Sequence, residues 1–114
     1  MDLSLTTNRV GEHLVVSLAG IADLSSAPGM YDHLRRVCAD HPAETLLIDI
    51  DGLLSLDDAA LGLLFGAVAR ARRGGGDVEL ICTDDRLLQL LQTTGFDRTV
   101  VVRSSIADTG PGAT

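Results

Sequence analysis

Apolar and polar positions change period along the chain, and each change marks an element. From Leu3 to Thr7 apolar and hydroxyl residues alternate, Gly11 and Glu12 form a turn, and His13 to Leu18 is a β-branched and leucine run ending at Gly20. This predicts a hairpin at the edge of a sheet. Ser25 and Ser26 are candidate N-caps, Pro28 suits a first helical turn, and Tyr31, Leu34, Val37 and Cys38 recur at helical spacing, so a helix is expected from Ala27 to Asp40. The run Thr45 to Ile50 is apolar and barely alternates, the pattern of a strand buried on both faces. A second helix is expected from Asp57 to Arg73, with Leu61, Leu64, Phe65, Val68 and Ala69 on one face and a stop at Gly74, Gly75 and Gly76. Its acids lie in the first turn and Arg70, Arg72 and Arg73 in the last, which complements the helix macrodipole at both ends. Val78 to Cys82 reads as a fourth strand. A third helix opens at Asp84 and Asp85, turns Leu87, Leu88 and Leu91 inward and stops near Gly95, and Thr99 to Arg103 reads as a fifth strand.

An antiparallel start feeding repeated strand-helix-strand units predicts an α/β fold: a mixed, mainly parallel sheet with an N-terminal hairpin. Right-handed crossovers between successive parallel strands place the helices mainly on one face. Residues 1–103 are expected to form the domain and 104–114, which end Thr-Gly-Pro-Gly-Ala-Thr, a flexible tail.

Composition narrows the function. The chain has 114 residues, enough for one core without metal or disulfide staples, and is 46% hydrophobic, which excludes a disordered chain. Its net charge of -7 argues against a nucleic-acid partner, because phosphate binding draws on clustered Lys and Arg. No apolar stretch approaches the roughly 20 residues needed to cross a bilayer, and the start has neither a basic n-region nor an apolar h-region, so direct membrane insertion is not expected and a cytoplasmic location is. Cys38 and Cys82 then read as reduced core residues rather than a disulfide framework.

Catalytic patterns are thin. His13, His33 and His41 are dispersed with no Cys or carboxylate at metal-ligand spacing, the serines lack a G-x-S-x-G context, and the glycine triplet follows a helix instead of preceding one. Neither an enzyme, a metal nor a cofactor is expected. What remains is the segment from Asp49 to Gly62, where a buried strand enters a helix through adjacent carboxylates. Asp57 serves as N-cap with Asp58 in the first turn, or Ser55 caps with Asp58 three residues on. Ala59, Ala60, Gly62 and Gly66 make this helix small-sided, and glycine inside a helix costs roughly 1 kcal/mol relative to alanine, which points to a close approach by another group. Leu53, Leu54 and Leu56 crowd the preceding loop, either covering the sheet edge or offering an apolar partner patch.

These residues resemble a family. The start Met-Asp-Leu-Ser-Leu, the run Val15 to Asp23, Ala27-Pro28, Leu47 to Gly52, Leu56-Asp57 with Leu61-Gly-Leu-Leu, and Leu80-Ile-Cys-Thr together resemble a STAS domain, the fold of bacterial anti-sigma factor antagonists. The resemblance spans about Met1 to Arg103. It implies a non-enzymatic regulator that sequesters an anti-sigma factor, itself a serine-kinase-like ATPase, and admits a weak homodimer. The implied partner-binding residues are Asp23, Leu24, Ser55, Leu56, Asp57, Asp58, Ala59, Ala60 and Gly62.

In that family the helix entrance usually reads Asp-Ser-Ser/Thr-Gly-Leu-Gly, and its first Ser is phosphorylated by the partner kinase. Here Asp57 matches the family Asp, Asp58 occupies the phosphoacceptor position, Ala59 and Ala60 replace the hydroxyl residue and glycine, and Leu61-Gly62 match again. The usual Gly-Glu-Ile/Leu-Asp near Gly20 reads Gly-Ile-Ala-Asp, keeping Asp23 and losing the glutamate. Two consequences compete: against a partner surface matched to a neutral hydroxyl Asp58 is a permanent weak phosphomimic and binding is poor, whereas against an Arg it is a fixed contact that needs no phosphatase. With the acceptor hydroxyl gone, the expectation is a phosphorylation-independent binding module. The alternative is a non-switching STAS subunit of a transporter or stress-signalling complex.

Overall fold

The structure, a computed structural model, describes residues 2–107. Elements follow in the order β1 (Leu3–Val10), β2 (His13–Ala22), α1 (Ala27–Asp40), β3 (Thr45–Leu56), α2 (Asp58–Arg73), β4 (Asp77–Ile81), α3 (Asp85–Thr94), a short 3₁₀ turn (Phe96–Arg98) and β5 (Val102–Arg103). The five strands lie in sequence order, with β1 antiparallel to β2 and every later neighbour parallel. This is the mixed sheet with an N-terminal edge hairpin that the alternation predicts.

Alternation along β2, β3 and β4 sorts their side chains into two layers. Leu14, Val16 and Leu18, Leu46, Ile48 and Ile50, and Val78 and Leu80 share one core with the inward residues of all three helices. All three helices therefore cover the same face. On the other face Val15, Leu47 and Ile81 form a small second cluster, against which Ile106 packs. The start of the expected tail is thus anchored; residues 108–114 lie outside the described residues. Beside this cluster, Arg103 on β5 donates through Nε to Glu79 Oε1 at 2.6 Å, a pairing that brings a largely buried guanidinium onto the sheet.

Helix faces differ in detail from the simple period. Met30, not Tyr31, joins Leu34 and Val37 in the core from α1. From α2 the buried set is Ala60, Leu61, Leu64, Ala67, Val68 and Ala71, so Ala69 faces outward and Phe65 is only half-buried. Residues at spacings of four and three (60, 64, 67, 71) thus form the inward stripe of α2 in the shared core, and α1 meets the helix beside it, where Tyr31 lies against Gly66.

Four strands have other lengths than expected: β1 runs on to Val10 and β2 to Ala22, and β3 and β5 differ as well. β3 continues past Ile50 to Leu56, because β2 also runs on and pairs Ala19 with Gly52, Gly20 with Leu53, Ile21 with Ser55 and Ala22 with Leu56. Two register shifts, between Ser17 and Ala19 and between Gly20 and Ile21, bend this pair while it continues. Gly52 permits the bend: a Cβ there would lie 2.6 Å from the Leu18 carbonyl oxygen. At the other end of the chain, β5 begins at Val102 instead of Thr99. Phe96 is fully buried and its ring sits 4.0 Å from that of Phe65, centroid to centroid, so the chain turns tightly over Phe96 to Arg98 before it can rejoin the sheet.

Gly52→Ala is expected to destabilise the fold by about 1–3 kcal/mol, the range for forcing extra atoms into a packed site, read as a lower midpoint of urea unfolding with an unchanged slope.

Candidate functional site

The long β2–β3 pair carries two turns to the same end of the molecule. After β2, Asp23 organises the first: its Oδ1 accepts from the amides of Ser25 and Ser26 at 3.0 and 3.1 Å and from the Ser25 hydroxyl at 2.8 Å. These donors hold the Asp23 carboxyl below the usual carboxylate range, the Ser25 hydroxyl contributing most. Ser26 occupies the N-cap position of α1, yet its hydroxyl does not cap the helix. It donates to the Ile21 carbonyl at 2.9 Å and accepts from the Asp23 amide at 2.9 Å, and Pro28 at the second helical position has no N–H for it to cap.

Asp57 joins this turn to the second. It is the N-cap of α2, with Oδ1 accepting from the Ala60 amide at 2.9 Å, while Oδ2 accepts from the Leu24 amide at 3.0 Å. Its own amide donates to the Ala22 carbonyl at 3.0 Å. One side chain thus closes a helix end and ties it to the loop after β2. Ser55 takes no part in capping; it lies exposed in β3, and the register in which it would cap α2 is not adopted.

With Asp57 occupied in this way, Asp58 is left exposed in the first turn of α2, with no hydrogen bond or ion pair among the described residues. Gly62 lies one turn along the same side of the helix, and a Cβ there would meet nothing within 4 Å. Gly66 has a different origin, since a Cβ would come 3.2 Å from Cε1 of Tyr31 on α1. The small residues of α2 therefore serve two surfaces: Gly66 admits α1, whereas the backbone at Gly62 stays open.

Apolar residues at this end divide as well. Leu53 and Leu56 are core residues of β3, while Leu54 is 52% exposed and Leu24 is 74% exposed. Ala60 is fully buried and Ala59 half-buried, so the backbone amide of Ala60, not its methyl group, serves the site. Of the nine residues singled out from sequence, Asp23, Leu24, Asp57, Asp58 and Gly62 gather around the two turns. Leu56 and Ala60 support them from below.

Sequence reasoning missed the residues that hold β3 up. Asp51 accepts from the Thr83 amide and hydroxyl at 2.6 and 2.8 Å and from the Asp84 amide at 3.2 Å, joining β3 to the loop before α3. Arg86 donates to the carbonyls of Leu54 and Leu53. A cation in the first turn of a helix opposes the macrodipole, and that misfit was the available signal that Arg86 is engaged elsewhere. Asp84 caps α3 through the amides of Arg86 and Leu87, which hold its carboxyl below the usual range, Leu87 contributing most. Under the same loop, burial followed by the charge of Asp51 pushes the Cys82 thiol up to about 11. Cys38 and Cys82 are both free thiols.

A model of the STAS domain matches residues 4–109. The chain belongs to the STAS family. Solved structures agree on the fold. An anti-sigma factor antagonist from Mycobacterium paratuberculosis superposes with a TM-score of 0.83 at 21% identity, over 94% of this chain and 90% of that one. An anti-sigma-factor antagonist (STAS) domain protein from Planctomyces limnophilus gives 0.72 at 16% identity, over 92% of each chain. The Bacillus cell fate determinant SpoIIAA in its phosphorylated form gives 0.67 at 16% identity, over 90% of this chain and 93% of that one. No curated protein sequence matches at a significant level. The STAS domain thus places its strand-to-helix turns where Asp57 binds them together.

Asp57→Ala should cost the STAS domain about 1–2 kcal/mol, the scale of a lost cap, and speed hydrogen exchange at the Leu24 and Ala60 amides in particular; Asp58→Ala should change stability by less than about 0.5 kcal/mol. Asp23 and Asp84 add a pH dependence. Both carboxyls titrate lower in the fold than their ordinary value of 3.8, so their contribution is present above that pH and fades as the pH falls through the lower folded values. Acid unfolding followed by circular dichroism should shift toward neutral pH in Asp84→Asn.

Proposed function

We propose that this STAS domain is a protein-binding regulator of the anti-sigma antagonist type, sequestering an anti-sigma factor of the serine-kinase-like ATPase class. It acts by binding, without chemistry of its own. Its surface is the end where Leu24, Asp57, Asp58 and Gly62 meet, with exposed Leu54 at the same end of β3. Solved structures described as anti-sigma factor antagonists share the fold and support the partner class.

One observation carries the finer reading: Asp57 takes both the cap and the Leu24 tie, so Asp58 is exposed and uncommitted. A carboxylate at this place has about one negative charge, against one and a half to two for a phosphoserine, and it is permanent. A partner that meets it with an Arg gains a fixed charge-assisted contact requiring neither kinase nor phosphatase. Exposed Leu24 supplies apolar area beside it, and the open backbone at Gly62 lets a partner element come close to α2.

Calorimetry with the host's ATPase-type anti-sigma factors tests this reading. The native chain should bind one of them with an affinity unchanged by ATP, whereas Asp58→Ser should bind and then weaken as ATP permits phosphorylation. Leu24→Ala should lower native affinity about tenfold, equivalent to about 1.4 kcal/mol. Binding by Asp58→Ser alone would show that the native carboxylate blocks the partner. Stoichiometric phosphate on the native chain near Ser55, seen by mass spectrometry, would overturn phosphorylation-independent binding.

A further inference from the structure

At the end of the molecule away from these turns, the C-terminal turns of α1 and α2 and the starts of β2 and β3 border a cavity of about 320 Å³ that is open to solvent on one side. That volume lies at the lower end of the range for small-molecule sites. Leu14, Val37, Leu46 and Ala71 supply buried apolar walls, half-buried Cys38 adds its thiol, and Arg70 and Arg73 stand at the rim.

The ion-pair pattern sets this cavity apart. All nine basic residues are Arg. Arg9, Arg35, Arg36, Arg72, Arg86 and Arg103 each lie against a carboxylate. Among the described residues, Arg70, Arg73 and Arg98 have no carboxylate partner, in a chain where acids outnumber bases 16 to 9. Two of these three line the same cavity. Glu44, its lining carboxylate, is already engaged by Arg9 at 2.8 Å and His41 at 3.1 Å and makes no ion pair with either guanidinium. The wall between them and β3 also holds Ala43 at a φ of 64°, a left-handed conformation that costs a non-glycine residue energy.

We propose that this cavity binds a small amphipathic carboxylate, its apolar tail on Leu14, Val37, Leu46 and Ala71 and its head on Arg70 and Arg73. A guanidinium fork matches a planar carboxylate through paired hydrogen bonds. The net charge of -7 and the C-terminal carbonyls of α1 and α2 at the same rim oppose any anion, and they oppose a dianion such as a phosphate monoester more strongly than a singly charged carboxylate. The site is separate from the proposed partner surface, and neither reading depends on the other.

Octanoate is the probe, and alkylation of Cys38 by iodoacetamide is the local readout, with Cys82 as the reference thiol. Peptide mass mapping should show octanoate slowing Cys38 saturably and by about fivefold or more relative to Cys82, with neutral octanamide giving little protection. The double variant Arg70→Gln, Arg73→Gln should keep its melting temperature within a few degrees and lose octanoate affinity by about tenfold or more, the scale of a charged hydrogen bond. The proposal is overturned by an unchanged Cys38 rate, by equal protection from octanamide, or by full affinity in the folded double variant.

Discussion

The pairing of β2 with β3 beyond the reach of β4 is the constraint on which the site depends. β4 meets β3 only from Thr45 to Asp49, whereas β2 stays paired with β3 as far as Leu56. Past Asp49 the β3 edge has no neighbour on the β4 side, and beyond the Leu3–Gly20 pair, where β1 ends, Ile21–Ala22 and Ser55–Leu56 form a two-stranded ribbon that alone is marginal in water. It is held by Ala22, Leu53 and Leu56 in the core, by Asp51 reaching the Thr83–Asp84 backbone, and by Arg86 on the Leu53 and Leu54 carbonyls. Because the ribbon is supported there, both of its turns arrive at one place, and a single carboxylate, Asp57, can bond to both.

Helix α2 links two chemically opposite ends of the STAS domain. Acids at its start and arginines at its end follow from the macrodipole, and on their own they report only a well-made helix. Tertiary contacts change that meaning residue by residue. Asp57 is consumed by internal amides while Asp58 is not, and Arg72 is consumed by Asp77 and the Thr99 carbonyl while Arg70 and Arg73 are not. The uncommitted charges are the ones that can meet another molecule.

Much of the fold was legible because its strands and helices alternate with clear periods. The hairpin, the α1 limits, the Asp57 cap and the Asp84 cap all follow from local patterns that the final structure keeps. Less legible were features set by distant partners. The Leu53–Leu56 stretch looked like a crowded loop, since a strand's length depends on how far its neighbour runs and β2 lies some thirty residues away. Ser26 looked like a capping serine, but its hydroxyl is bonded back to the Ile21 carbonyl and the Asp23 amide, partners set by the path of β2 into the turn. The inward stripe of α2 takes Ala67 and Ala71 and leaves Ala69 exposed, a choice among equally small residues that one helical period does not make.

The candidate site divides along the same line. By itself the sequence determined the residue types: an Asp pair at a helix start, the absence of a hydroxyl at position 58, small residues in α2 and a chain rich in acids. These are local and compositional facts, and the family membership rests on their order. Tertiary structure alone decided that Asp57 is shared between two turns, that Leu24 and Leu54 are exposed while Leu53 and Leu56 are not, and that two unpaired arginines face one cavity. The physical reason is that hydrogen-bond satisfaction and burial are settled between segments far apart in the chain, where each donor, acceptor and apolar face has several competing partners and only the folded arrangement selects among them.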